Sequence, residues 1–145
     1  MNPTARRNAR QYALQAMYQW QMSGSTPVEI ELDFIARQIK HKTDIDYFKE
    51  LIQTIPKIHE ELDNNMAPYL NRPLLELDPI ELAILRIGMY ELSKRLDVPY
   101  RVAINEALEL AKKFGSIEGY KFVNGVLDRA ARDLRIDEIK AYKKP

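Results

Sequence analysis

The chain contains no cysteine, which removes disulfides, thiolate nucleophiles and thiolate metal ligands together. Glycine is scarce, with five residues scattered over 145, so no glycine-rich phosphate loop can form. His41 and His59 are the only histidines, and His59-Glu60-Glu61 lacks the second histidine that a helical zinc-protease motif places four residues on. Asp63-Asn64-Asn65 lacks the remainder of a calcium loop. The paired carboxylates Asp44/Asp46 and Glu60/Glu61 fall in amphipathic stretches, where a solvated face or helix-terminal charge accounts for them. No apolar run approaches the ~20 residues that span a bilayer, and the N-terminal arginines are not followed by the apolar stretch of a secretory signal. Strand alternation is missing throughout. These absences argue against an enzyme, a metal site or a bound cofactor, and for a cytoplasmic domain held together by packing alone.

What is present supports a single helical domain over 1–145. The content is 46% hydrophobic and 30% charged, enough for a core that buries about 68–70% of the unfolded surface. Formal net charge is only +1, but it is unevenly spread. No acid precedes Glu29, while Arg6, Arg7 and Arg10 all lie in the first ten residues. From Asp44 to Glu91 ten acids face four Lys or Arg, and from Arg129 onward basic residues lead again through Arg132, Arg135, Lys140, Lys143 and Lys144. Such a pattern either folds into one basic and one acidic face suited to two different partners or is mixed by folding.

Helical periodicity predicts a first helix from about Thr4 to Met22, with Ala9, Ala13, Ala16, Met17 and Trp20 as its buried stripe and the arginines projecting outward. A second helix is expected over Val28 to Ile39 through Ile30, Phe34, Ile35 and Ile39. A third begins near Asp44, with Tyr47, Phe48, Leu51, Ile52 and Ile55 inward, and Pro56 kinks it or starts a new segment. Asp78-Pro79 with Glu81 three residues after the cap is a strong start signal. The helix that follows is apolar almost all round, a central strut in which Gly88 implies the close approach of a neighbouring backbone. Pro99 opens the next helix, with Ile104, Ala107, Leu108, Ala111 and Phe114 on its stripe. Lys112 and Lys113 lie in its last turn and Gly115 follows as a terminator. Ser116 caps the final long helix, whose face carries Val123, Val126, Leu127, Ala130 and Leu134, with Phe122 at its edge.

Binding chemistry is better represented than catalysis. Three arginines on about one helical turn, with no acid nearby in sequence, suit phosphate contacts, because guanidinium groups bridge phosphate oxygens and release counterions. Phe122 beside Lys121 offers either a ring for base stacking or a core-rim packing residue. Tyr18 lies off the buried stripe of its helix and is either an interface residue or folded over the rim.

Several segments are distinctive: A-R-R-N-A-R-Q-Y-A-L-Q-A-M-Y-Q-W from Ala5, Y-F-K-E-L-I from Tyr47, E-L-A-I-L-R-I-G-M-Y-E-L from Glu81, V-P-Y-R-V-A-I-N-E-A-L-E-L-A-K-K-F-G from Val98 and K-F-V-N-G-V-L-D from Lys121. In this order they resemble the NusB family of bacterial transcription antitermination factors over essentially the whole chain. The resemblance implies an all-α fold of about seven helices, two small bundles packed across one another. It also implies a complex with NusE, the ribosomal small-subunit protein that doubles as a transcription factor. That pair binds the boxA element of nascent RNA, notably in ribosomal RNA leaders, and helps assemble an RNA polymerase complex resistant to termination. By position, Arg6, Arg7 and Arg10 match the family's arginine-rich RNA-binding motif. Phe122, with Lys121 beside it, matches its RNA-facing aromatic, and Tyr18, Glu76 and Glu81 match its NusE-facing side. Asn8 stands where many relatives extend the basic run, and Glu118 is an acid near the expected RNA surface. From Asn8 the expectation is weaker and less salt-dependent RNA binding, with one fewer phosphate contact, and from Glu118 a lower affinity. Some relatives form homodimers that cover the RNA face, so a second copy is a further candidate partner. The alternatives are the NusB-like module of a ribosomal RNA cytosine methyltransferase, of which this chain would be a fragment, and a structural helical protein whose basic patch is incidental.

Overall fold

A computed structural model describes residues 2–143, which form seven α-helices and, among the described residues, no strand. They are α1 (Pro3–Ser23), α2 (Pro27–Asp33), α3 (Ile45–Met66), α4 (Pro79–Lys94), α5 (Tyr100–Phe114), α6 (Ile117–Leu134) and α7 (Ile136–Lys143). A π-helical turn (Phe34–Gln38) follows α2, and two 3₁₀ turns (Ala67–Tyr69 and Leu74–Glu76) lie between α3 and α4. The chain divides into two units between Glu60 and Glu61.

In the first unit, the Asn2 side chain accepts from the amides of Thr4 and Ala5 and starts α1, with Pro3 in the first turn. Gly24 ends it in the left-handed region at φ 74°, which glycine enters without the Cβ clash other residues meet. Between these ends Ala5, Ala9, Ala13, Leu14, Ala16 and Met17 are buried. Trp20 is only half-buried, its ring edge-on to His59 at 5.2 Å, so the stripe ends at Met17 rather than at Trp20. Three hydrogen bonds tie α1 to the segment before α3: Asp44 N to the Ala5 carbonyl (3.0 Å), Lys40 N to the Tyr12 hydroxyl (3.1 Å) and the Asn8 amide to the Lys42 carbonyl (2.7 Å).

The second expected helix is interrupted. Regular α geometry stops at Asp33, and the wider turn that follows leaves Ile35 exposed while Phe34 stacks on Phe48 of α3 at 5.8 Å. Simple 3.6-residue spacing had placed Ile35 inside; the wider turn re-phases the side chains after Phe34. The expected inward face of α3 is buried at every named position from Tyr47 to Ile55. Pro56 sits within the helix, and the irregularity falls two residues later, at Ile58 (φ −114°, ψ 16°).

In the second unit, α4 packs against α5 and α6, which also pack against each other. α4 is buried without a break from Ala83 to Leu92. Asp78 Oδ2 accepts from the amides of Ile80 (3.0 Å) and Glu81 (3.1 Å), as the start signal predicts. The neighbour of Gly88 is a side chain and not a backbone: a Cβ there would lie 2.8 Å from Leu127 Cδ1. Ser116 accepts from Gly119 N at 2.9 Å to start α6. Val123, Val126, Leu127 and Ala130 are buried, whereas Leu134, at the end of α6, is exposed. On α5, Leu110 takes an inward place, while Leu108 and Phe114 are only half-buried.

Two arginines counted above as surface charge are internal. Arg86 makes a two-pronged contact with Asp63, Nε to Oδ1 at 3.0 Å and Nη2 to Oδ2 at 2.7 Å. Arg135 is buried and donates to the carbonyls of Leu92 (2.8 Å), Glu91 (3.0 Å) and Arg95 (3.0 Å), and to Glu138 (2.6 Å). It thereby adds a donor at the C-terminal end of α4, serving the Leu92 carbonyl and sharing those of Glu91 and Arg95 with the amides of Arg95 (3.2 Å) and Val98 (2.9 Å). Glu138 of α7 also accepts from Tyr100 N at 2.9 Å, supplying the start of α5 with the acceptor that Pro99 lacks.

Arg135→Met should lower unfolding free energy by about 1–3 kcal/mol, because it leaves the Leu92 carbonyl without a donor and removes the ion pair of Glu138, as read by urea denaturation. Gly88→Ala should also destabilise: crowding Leu127 costs about 1–3 kcal/mol and exceeds the ~1 kcal/mol gained in helix propensity. A raised denaturation midpoint would show that Leu127 can move aside.

Candidate nucleic-acid and partner interfaces

The N-terminal arginines do not all project outward. Arg7 is exposed, Arg6 half-buried, and Arg10 is 3% exposed. Both inner arginines gather on one aromatic ring of α3, with the guanidinium carbon of Arg6 at 4.1 Å and that of Arg10 at 5.5 Å from the Tyr47 centroid. An acid absent from the local sequence arrives through the fold, since Arg6 Nε lies 3.8 Å from Asp44 Oδ2. That is an ion pair beyond hydrogen-bond distance, and Arg6 Nε is buried with no hydrogen-bond partner. Helical spacing had the arginines project outward; Tyr47 draws Arg6 and Arg10 in because a guanidinium stacks well on an aromatic face. Asn8, at the break in the basic run, spends its amide on the loop at Lys42. Tyr18, on the same helix, is exposed, with exposed Met22 one turn on.

The second unit carries the remaining candidates. Phe122 is half-buried and Lys121 exposed. Lys121 lies 3.9 Å from Glu118, and both are well solvated, so the pair adds little to stability. The face of Phe122 is not open: the guanidinium carbon of Arg72, from the segment between the 3₁₀ turns, lies 4.3 Å from its ring centroid. Sequence reading missed Arg72, since nothing in a linear pattern relates it to a residue fifty positions away. Around the α5–α6 corner an open groove of about 460 Å³ is lined by Lys112, Ser116, Ile117, Tyr120 and Lys121 among others.

Glu81 accepts no capping role in return for its own amide's bond to Asp78; its carboxylate reaches α6, where a Cβ on Gly119 would lie 2.7 Å from Oε2. Burial there raises its pKa, Asp78 adds to the rise, and Arg72 opposes both. Glu76 is exposed at the end of its 3₁₀ turn, and Leu75 beside it is 95% exposed. An acidic side chain next to a bare aliphatic one is suited to a protein surface. Among the described residues no group of three or more His, Asp or Glu side chains is placed to hold a metal ion, and no helix is long and apolar enough to cross a membrane.

The structure thus gathers Arg6 and Arg10 on Tyr47 in the first unit, and Phe122, Arg72, Lys121, Glu81 and Gly119 in the second. The NusB family model matches residues 7–132. The transcription antitermination protein NusB of Idiomarina loihiensis is 52% identical over 135 residues, covering 93% of this chain and 97% of that protein. The NusB of Photobacterium profundum is 50% identical over 149 residues, with 93% and 99% covered. Among solved structures, T. maritima NusB is similar with a TM-score of 0.74 at 28% identity, over 88% of this chain and 90% of that one. A crystal structure of the antitermination factors NusB and NusE in complex with double-stranded RNA is similar with a TM-score of 0.80 at 28% identity, over 90% and 98%. With sequence, family model and fold in agreement along nearly its whole length, the chain belongs to the NusB family.

Proposed function

We propose that this chain is a non-catalytic adaptor of transcription antitermination, acting as one RNA-binding domain over 1–145 in the bacterial cytoplasm. It binds boxA RNA together with NusE and helps assemble a termination-resistant RNA polymerase complex, notably on ribosomal RNA operons. The observation that carries this reading is the likeness, along 90% of the chain, to a NusB solved with NusE and RNA. The RNA of that neighbour is a duplex. A preference here for single-stranded boxA is supported by the open, largely apolar groove at Ile117 and Tyr120. Flat and apolar surfaces reward only bases that are not already stacked in a helix.

Arg6, Arg7, Arg10, Lys121 and Phe122 are the proposed RNA residues, and they divide by burial. Arg7 and Lys121 are exposed and suit phosphate contacts, which set position and salt dependence but not sequence. Arg10 is buried and acts by holding the start of α1 against Tyr47. Tyr18, Glu76 and Glu81 are the proposed NusE contacts, their acidity and exposed apolar neighbours suiting a basic protein. RNA and NusE then bind with positive coupling, which linkage makes reciprocal. A homodimer covering the RNA surface is the competing state.

Fluorescence anisotropy of labelled boxA RNA should show tighter binding with NusE than without, and weaker binding of a scrambled RNA. Equal affinity for both RNAs, or none even with NusE, would sink the reading. Arg7→Ala should weaken RNA binding and lower the slope of log K against log salt by about 0.7, with Tm unchanged. Arg10→Ala should instead lower Tm, as loss of a buried, ring-stacked side chain does. Tyr18→Ala should weaken NusE binding and leave RNA binding by the isolated protein intact, which a pull-down with an RNA titration alongside checks.

A further inference from the structure

The position assigned above to an RNA-facing phenylalanine is, in the folded chain, presented to solvent as an arginine. Arg72 is exposed while Phe122 is half-buried, and the guanidinium sits over the ring at 4.3 Å from its centroid. A molecule approaching that face of the ring meets the guanidinium. Arg72 is also not slack. Pro73 follows it at φ −60°, ψ 145°, and a residue before proline is confined to extended backbone. Its Nε donates to Asn71 Oδ1 at 3.3 Å, which further orients the plane.

We propose that Arg72 is an RNA-contacting residue, its guanidinium held on the Phe122 ring as the plate on which an unstacked base docks. The inference rests on the RNA reading given under the proposed function. A guanidinium stacks on an aromatic ring through one face and accepts a base on the other, while its edge N–H groups remain directed at phosphate or base oxygens. A bare ring offers only the stacking. Phe122 is then the support, and the charge that this place contributes comes from Arg72.

The same geometry gives the RNA contact a neighbour on the partner side. Gly119 and Phe122 are three residues apart on α6 and so lie on one side of the helix. Glu81 covers Gly119, and Arg72 covers Phe122. Arg72 lies close enough to Glu81 to oppose the rise in its pKa that burial and Asp78 produce. Glu81 and Arg72 therefore flank one stretch of α6, a carboxylate over Gly119 and a guanidinium over Phe122. A basic partner that takes over Glu81 leaves the guanidinium charge to the RNA, and this is a direct physical route for coupling between the two ligands.

The test uses the full chain, labelled boxA RNA and no partner, across a salt series. Arg72→Ala should weaken binding about five-fold and lower the salt slope by about 0.7. Arg72→Lys should keep the slope and lose most of the affinity, because an ammonium keeps the charge but not the plane. Phe122→Leu should weaken binding in the wild type and have little further effect beside Arg72→Ala, since the pair acts as a unit. Glu81→Gln should tighten binding about three-fold in the wild type and not at all beside Arg72→Ala. Circular dichroism melts check that each variant folds. If Arg7→Ala weakens binding but Arg72→Ala leaves it unchanged or tightens it, the inference is overturned and the RNA reading stands. A folded wild-type protein that binds no RNA even when NusE is added overturns both.

Discussion

The second unit depends on one constraint: a helix buried nearly all round cannot leave its terminal amides and carbonyls dry. From Ala83 to Leu92, α4 has no exposed position. An orphan group that its ends bury therefore needs a partner from protein, at a cost of roughly 1–3 kcal/mol if it has none. Asp78 serves the N-terminal end from one residue before the helix. Arg135 serves the C-terminal end from beyond α6, forty-three positions from the carbonyl of Leu92. Glu138 then pairs with Arg135 and caps α5. One buried cation thus links the end of α4 to the start of α5 through Glu138 of α7, and Arg101 of α5 holds α7 again at Tyr142 (3.0 Å).

Arginine shows how one residue type divides between architecture and surface. Arg86 and Arg135 are spent on internal acceptors, and Arg10 on the Tyr47 ring. Arg7 and Arg72 remain exposed. A charge count along the chain treats all of them alike, so a basic C-terminal segment was expected where one of the cations, Arg135, is in fact internal. The proposed RNA contacts are correspondingly fewer and more particular than the arginine run suggests, and one of them comes from a turn that carries no basic cluster.

The proposed partner side is equally economical. Glu81 lies at the first turn of α4, against the glycine at the first turn of α6. A side chain larger than glycine at 119 would push the carboxylate away, and that carboxylate is the neighbour of the Arg72–Phe122 pair. Two proposed binding functions meeting on one stretch of α6 are an arrangement in which one ligand would alter affinity for the other.

Much was legible in order and type. Helix starts at Asp78 and Ser116, the inward face of α3 and the apolar character of α4 follow from local capping chemistry and 3.6-residue spacing, which act over a few residues. The family was legible as well, because its motifs are short and contiguous. Tertiary structure alone decided what depends on residues far apart in the chain. It brought Asp44 and Tyr47 to Arg6, set Leu127 rather than backbone against Gly88, turned Ile35 outward through a wider helical turn, and seated Arg72 on Phe122. Periodicity tells which face of a helix is apolar; it holds no information about which polar group from elsewhere will find the edge of that face, and there the candidate site is made.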